Sequence, residues 1–293
     1  MSAEVQGDAH PTFAGPAMGT TYRVTLATPI AGMSAGEVHR EVDRVLAVID
    51  RATSTWRDDS DASRFNRAAA GEWIEGGPDL IAVLEVAARM HELSAGGFDV
   101  TAGPLVHLWK NDRQPSAAAI AAARGRVGMR MIDVRPATAG RSAAVRKHVA
   151  GITLDLAAIG PGYAVDRIGA RLVELGSEAH LVELGGEVRA WGTRTNGQPW
   201  RIRLRAGVDA AGRATTDRTI ELAAGAAVAT ASVGEGRALV DPRTGWAIAG
   251  RPRSMTAIGD TCAAADAWAV AALVLGLRPD ARGLVAVPVA DRP

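Results

Sequence analysis

The chain of 293 residues has one cysteine, Cys262, which excludes an intrachain disulfide and a multi-cysteine zinc site. Set among alanines in "DTCAAADAW", its thiol reads as a small buried hydrophobe. An excess of either charge is also missing: 33 Lys and Arg face 32 Asp and Glu, a formal net charge of +1. That balance gives no electrostatic reason to expect nucleic acid or an anionic membrane surface as a partner. Arg201, Arg203 and Arg205 alternate with Ile202 and Leu204, as on the solvated face of a strand rather than in a phosphate-tracking groove. No apolar run reaches the length of a membrane span. The opening "MSAEVQGDAHPTFAGPAMGT" has no basic n-region, no apolar h-region and no lipidation cysteine. The expectation is a cytoplasmic protein with neither membrane nor nucleic acid as partner.

What is present is enough apolar residue, 47%, for one large core or two modest ones. "TTYRVTLAT", from Thr20, alternates as a strand does. Ser34 with Glu37 three residues on forms a capping-box pattern, followed by Val38, Val42, Val45, Leu46 and Ile49 at helical spacing. A second helix is predicted from Asp79 to Ser94, and an alanine-rich one near Ser116 to Gly125. Between the first two, "TSTWRDDSDASRFNRAAAG" is too polar and irregular for a core element and reads as a long loop, functional or disordered. "GGFDVTAGPLVHLWK" reads as a glycine-flanked turn, and Met131 to Ala150 as paired strands turning at Ala139-Gly140. "HLVELGGEVRAWG" and "WRIRLR" read as a hairpin across "TRTNGQP", and "MTAIGDTCAAADAWAVAALVLG" as the run into a buried helix. Strands and helices interleave without strict βαβ alternation, so the class is α+β: residues 1–15 as a flexible terminus, then one domain over 16–293.

"GITLDLAAIGPGYAVDRIGARLVELG" has the order strand, glycine turn, helix, and so invites a dinucleotide-loop reading. Gly160 and Gly162 fit the first two positions of that fingerprint, and Glu183 stands where a ribose-binding acid would. The third glycine is Val165, and Pro161 removes a backbone donor. Asp155, at the strand end, repels phosphate unless a cation intervenes. A bridging Mg²⁺ would need a second carboxylate, and Asp266 is the best candidate. It lies in a small apolar run with no lysine or arginine within a helical turn, so its charge needs a metal ion or a helix N-terminus.

Seven segments in register, from "AMGTTYRV" through "STWRDDSDASRFN", "GGFDVTAGPLVHLW", "LDLAAIGPGYAVDRIG", "LVELGGEVRAWG" and "VDPRTG" to "MTAIGDTCAAADAWAVAALVLG", resemble the FAD:protein FMN transferases, the ApbE-like flavin transferases. The resemblance covers roughly residues 16 to 277 and implies a single mixed-sheet domain of T-fold-like type with helices packed on the sheets. It implies that FAD is split with Mg²⁺, that FMN is attached through its phosphate to a Ser or Thr of an acceptor protein, and that AMP leaves. Carried over by motif, Met18 and Trp56 lie against the flavin. Gly97, Phe98 and Asp99 contact the nucleotide, as do Asp155, Pro161 and the Val240 backbone. The Ala158 carbonyl and Asp266 hold Mg²⁺, while Asp241 and Thr244 shape a catalytic loop over the pyrophosphate.

Three positions depart from the family pattern. Val270 stands where a metal-binding threonine is usual, four residues after Asp266, and offers no side-chain oxygen. Ala238 stands where many members have a histidine, three residues before the Asp-Pro pair. Pro161 stands at a turn position often charged in relatives and supplies only packing or a carbonyl. These departures keep a second reading open, an FAD-binding relative without transfer or an FAD pyrophosphatase.

Overall fold

A computed structural model describes residues 10–204, 217–233, 239–248, 254–280 and 283–288. The first hairpin, β1 (Thr12–Ala17) and β2 (Thr20–Leu26), turns on Met18 and Gly19, both at positive φ (+49° and +76°). Two successive positive-φ residues give the turn a twist that matches right-handed strands. β1 begins at Thr12, four residues before the expected start of the domain.

Helix α1 (Ala35–Thr53) starts as its sequence predicts: Ser34 caps Glu37, and Glu37 reaches back to the Ser34 backbone. The polar stretch after it is not wholly a loop. It contains α2 (Asp61–Arg67), capped by Ser60, with Phe65 and Ala62 fully buried. One aromatic among charges is too weak a periodic signal to reveal a two-turn helix. Strand β3 (Ile74–Glu75) leads to α3 (Pro78–Leu93), which buries Leu80, Val83, Leu84, Ala87 and Met90. The glycine-rich turn expected next gives way, after Ala102, to α4 (Gly103–Asn111). Pro104 fits the first turn of that helix, where no backbone donor is needed. Helix α5 (Ala117–Arg124) follows, and the paired strands β4 (Ile132–Arg135) and β5 (Ala144–Lys147) join β3 in a three-stranded sheet.

The expected strand at Gly151–Asp155 is reduced to a single bridge, Thr153 with Ala102, before α6 (Gly160–Glu174). The expected hairpin also differs. β6 (His180–Leu184) and β7 (Glu187–Trp191) pair with each other through Gly185-Gly186, both at positive φ. β8 (Trp200–Leu204) pairs instead with β9 (Arg218–Leu222) in a separate ribbon. Arg201 and Arg203 face solvent there, as their alternation predicts, and Arg205 lies outside the described residues. β10 (Ala227–Ser232), β11 (Ser254–Gly259), α7 (Cys262–Leu275) and β12 (Leu284–Ala286) complete the chain.

The main sheet has the order β1-β2-β6-β7-β10-β11-β12, antiparallel except for its last pair. Both faces are covered. Tyr22, Val24, Val182 and Leu184 pack under α1 and α6, while Leu181, Val188 and Ala190 meet Trp200, Ile202 and Leu222 of the ribbon. β6 is therefore buried at every residue and reads as a continuous run rather than an alternation. Among the described residues, no helix is long and apolar enough to cross a membrane.

Candidate active site

The glycines of "GPG" lie inside α6, not in a phosphate loop. A Cβ on Gly162 would sit 2.5 Å from the Cys262 carbonyl oxygen, so glycine here lets α6 touch the start of α7. A Cβ on Gly169 would fall 2.0 Å from the Trp191 ring. These are packing demands, and they account for Gly162 and Gly169 without a dinucleotide.

A cavity of about 670 Å³ opens between the β1–β2 turn, the last turns of α1, the loop after it and the start of α6. Met18, Trp56 and Pro161 line it together with Leu156 and Ala157. Asp155 and Ala158 flank those last two in the chain, and the Asp155 carboxylate accepts from the Ala157 N–H at 3.0 Å. The Met18 methyl reaches within 3.5 Å of where a Gly160 side chain would begin. Trp56 is 86% exposed, so it anchors no core. Three ionisable residues that sequence reasoning did not single out also line the cavity: Asp43, Asp50 and Arg57. Asp43 and Asp50 are seven apart on one helix, a spacing that puts both on one face and was the available signal.

Gly97, Phe98, Asp99, Val240, Asp241 and Thr244 are not in the cavity's lining. They form a second cluster joined to the first through the Asp155 N–H, which donates to the Val100 carbonyl at 2.7 Å. Phe98 is buried in the core. The Asp99 carboxylate accepts from the Thr101 N–H at 2.8 Å and from its hydroxyl, and His91 lies 3.3 Å from its other oxygen. Asp241 is similarly engaged: it accepts from the Arg243 N–H and Nε at 2.9 Å and from Nη2 at 2.8 Å. Its carbonyl closes the turn by accepting from Gly245 N–H at 2.7 Å, and Thr244 Oγ1 accepts from Trp246 N–H. Trp109 of α4 donates to the Gly245 carbonyl, and Val240 packs with Leu105 and Ile120.

Asp266 is buried in α7, and among the described residues its donor is the Gly162 N–H at 3.3 Å. Burial, and the nearby Glu187 carboxylate, hold its pKa well above the usual range. Burial raises that of Glu187 too. Glu187, at the head of β7, was missed because the hairpin that places it was misread. Asp166 of α6, also missed, accepts from both the Cys262 and Ala263 N–H groups at 2.9 Å and so caps α7 across the helix pair. Among the described residues, no three His, Cys, Asp or Glu side chains converge as a metal site. Val270 packs against the core, and Ala238 lies outside the described residues.

The fold thus offers an α+β domain with a cavity of about 670 Å³ beside the start of α6 and a buried carboxylate, Asp266, with no cation near it among the described residues. Comparison with known proteins defines the class. Residues 18–286 match the ApbE family. The chain is 30% identical over 285 residues to the FAD:protein FMN transferase of Haemophilus influenzae, spanning 90% of this chain and 80% of that one. The Vibrio cholerae FAD:protein FMN transferase is 30% identical over 281 residues, spanning 89% and 80%. Among solved structures, the apo form of the Pseudomonas stutzeri flavinyl transferase ApbE matches with a TM-score of 0.79 at 31% identity, covering 94% of this chain and 85% of that one. The flavin transferase ApbE from Vibrio cholerae matches at 0.78 and 30%, covering 93% and 88%. The chain belongs to the ApbE family.

Proposed function

We propose that this chain is an FAD:protein FMN transferase: it binds FAD, transfers the FMN half to a Ser or Thr hydroxyl of an acceptor protein, and releases AMP. The observation that carries the reading is the cavity of about 670 Å³ whose wall holds Met18, Trp56 and Pro161, in a chain whose relatives bear that name. Trp56 and Met18 take the isoalloxazine ring, the indole offering a flat face and the thioether an adaptable contact. The Gly97–Asp99 turn and the Asp155–Pro161 segment follow the nucleotide with backbone groups, since the Asp99 carboxylate is occupied by Thr101 and His91. Asp241 holds Arg243, and Thr244 sits exposed in the same turn over the pyrophosphate.

The residues fit a hard divalent cation such as Mg²⁺. Among the described residues Asp266 is a buried carboxylate with no cationic partner, and with the Ala158 carbonyl it would supply the protein's oxygens to the ion. When bound, Mg²⁺ neutralises charge on the pyrophosphate and on the departing AMP. The hydroxyl oxygen of the acceptor forms the new bond to the FMN phosphorus and gives up its proton to solvent, while the bond to the AMP oxygen breaks and AMP leaves with the bonding pair.

One observation favours the second reading, FAD binding or hydrolysis without transfer: Val270 presents only methyl groups where a further oxygen ligand is expected. Incubating the protein with FAD, with and without Mg²⁺ and a Ser/Thr-containing acceptor, separates the two. Magnesium-dependent AMP with flavin covalently on the acceptor supports transfer. AMP with FMN free in solution means a pyrophosphatase, and tight FAD binding without AMP a carrier.

A further inference from the structure

We propose that Lys110 is a positioning residue for the flavin wall: its ammonium fixes the orientation of the Trp56 indole, and α4 thereby ties that wall to the Asp241–Gly245 turn. The proposal rests on the FAD reading above. Trp56 lines the cavity yet is 86% exposed, so little packing restrains its ring. Its backbone, by contrast, is held. The Ser54 hydroxyl accepts from the Trp56 and Arg57 N–H groups at 3.3 Å, Ser60 donates to the Ser54 carbonyl, and Arg57 pairs with Asp59 and Asp50. What remains free is the side chain, and fixing a side chain on binding lowers affinity.

Lys110 addresses that freedom. Its Nζ stands 5.1 Å from the centroid of the Trp56 ring, within cation–π range, and among the described residues no carboxylate competes for it. A cation on one face of an indole leaves the other face for a flat ligand. The helix that carries the lysine is itself anchored, because the neighbouring Trp109 donates to the Gly245 carbonyl at 2.9 Å and Leu105 of the same helix is fully buried. Two adjacent residues of α4 thus reach the two clusters of the site, one through an aromatic face and one through a hydrogen bond.

The test is FAD titration of the full chain by flavin fluorescence, with KM and kcat for AMP release alongside. Lys110→Met is expected to weaken FAD binding roughly two- to fivefold and raise KM while leaving kcat in place. Lys110→Arg is expected to restore wild-type binding, and Lys110→Met to add nothing in a Trp56→Ala background. Wild-type binding by Lys110→Met, or full additivity with Trp56→Ala, overturns the proposal while the FAD reading stands. A wild-type protein that binds no FAD overturns both.

Discussion

The cavity wall and the packed layer behind it use their side chains in opposite ways. At the wall, Trp56 is almost wholly exposed and Met18 sits in a two-residue turn. In the layer behind, α6 and α7 touch through Gly162, and Asp166 spends both carboxylate oxygens on the first N–H groups of α7. The wall is free to meet a ligand because the layer behind is already satisfied. Asp266 is the exception, a buried carboxylate in the packed layer that among the described residues meets one N–H donor and no cation.

That contrast is sharpest at Asp266. Asp266→Asn replaces a carboxyl group whose ionisation burial disfavours, so the melting temperature at neutral pH is expected to hold or rise. Magnesium-dependent AMP release is expected to fall by on the order of a hundredfold or more, the loss of several kcal/mol of charge stabilisation. A large drop in stability with activity kept would reverse the assignment.

Next comes the layer's own sensitivity to acid. His180 is fully buried, its Nδ1 3.0 Å from the Ser177 hydroxyl and its ring stacked on Trp191, and burial lowers its pKa to about 4. The unfolded chain therefore binds a proton that the folded one refuses between pH 6.5 and 4, and stability falls as pH drops through that window. The loss is on the order of 3 kcal/mol by pH 4, and denaturant midpoints of His180→Phe should lack this slope. An unchanged slope would mean another group sets it.

Gly162→Ala places a methyl against the Cys262 carbonyl and should cost ~1–3 kcal/mol, seen as a melting temperature several degrees lower. Trp56→Ala should leave melting unchanged and weaken FAD by roughly two- to tenfold, the value of one aromatic stack. If Trp56→Ala melts early or Gly162→Ala does not, the division between wall and layer is wrong.

Much of this was legible in the chain. Ser34 and Glu37 cap α1 as their spacing says, the apolar face of α3 is buried, and Cys262 is a small core residue. The burial of Asp266 follows from the alanines around it. α2 and α4 were not legible, because each is short and fixed by contacts remote in sequence. The Asn66 amide bonds Leu154, and Trp109 bonds Gly245. The β7–β8 hairpin was misread since two glycines and a longer polar turn compete locally, and only the covering of both sheet faces decides between them.

By itself the sequence determined the class of fold, the caps and faces of its longer helices, and the motifs in register that mark the family, since these depend on neighbours a few residues away. Tertiary structure decided that Gly162 and Gly169 serve helix packing, that the Asp99 and Asp241 carboxylates are occupied from within, and that Asp266 meets no cation among the described residues. Whether a polar side chain is spent or available depends on what distant segments bring to it, and local sequence does not carry that information.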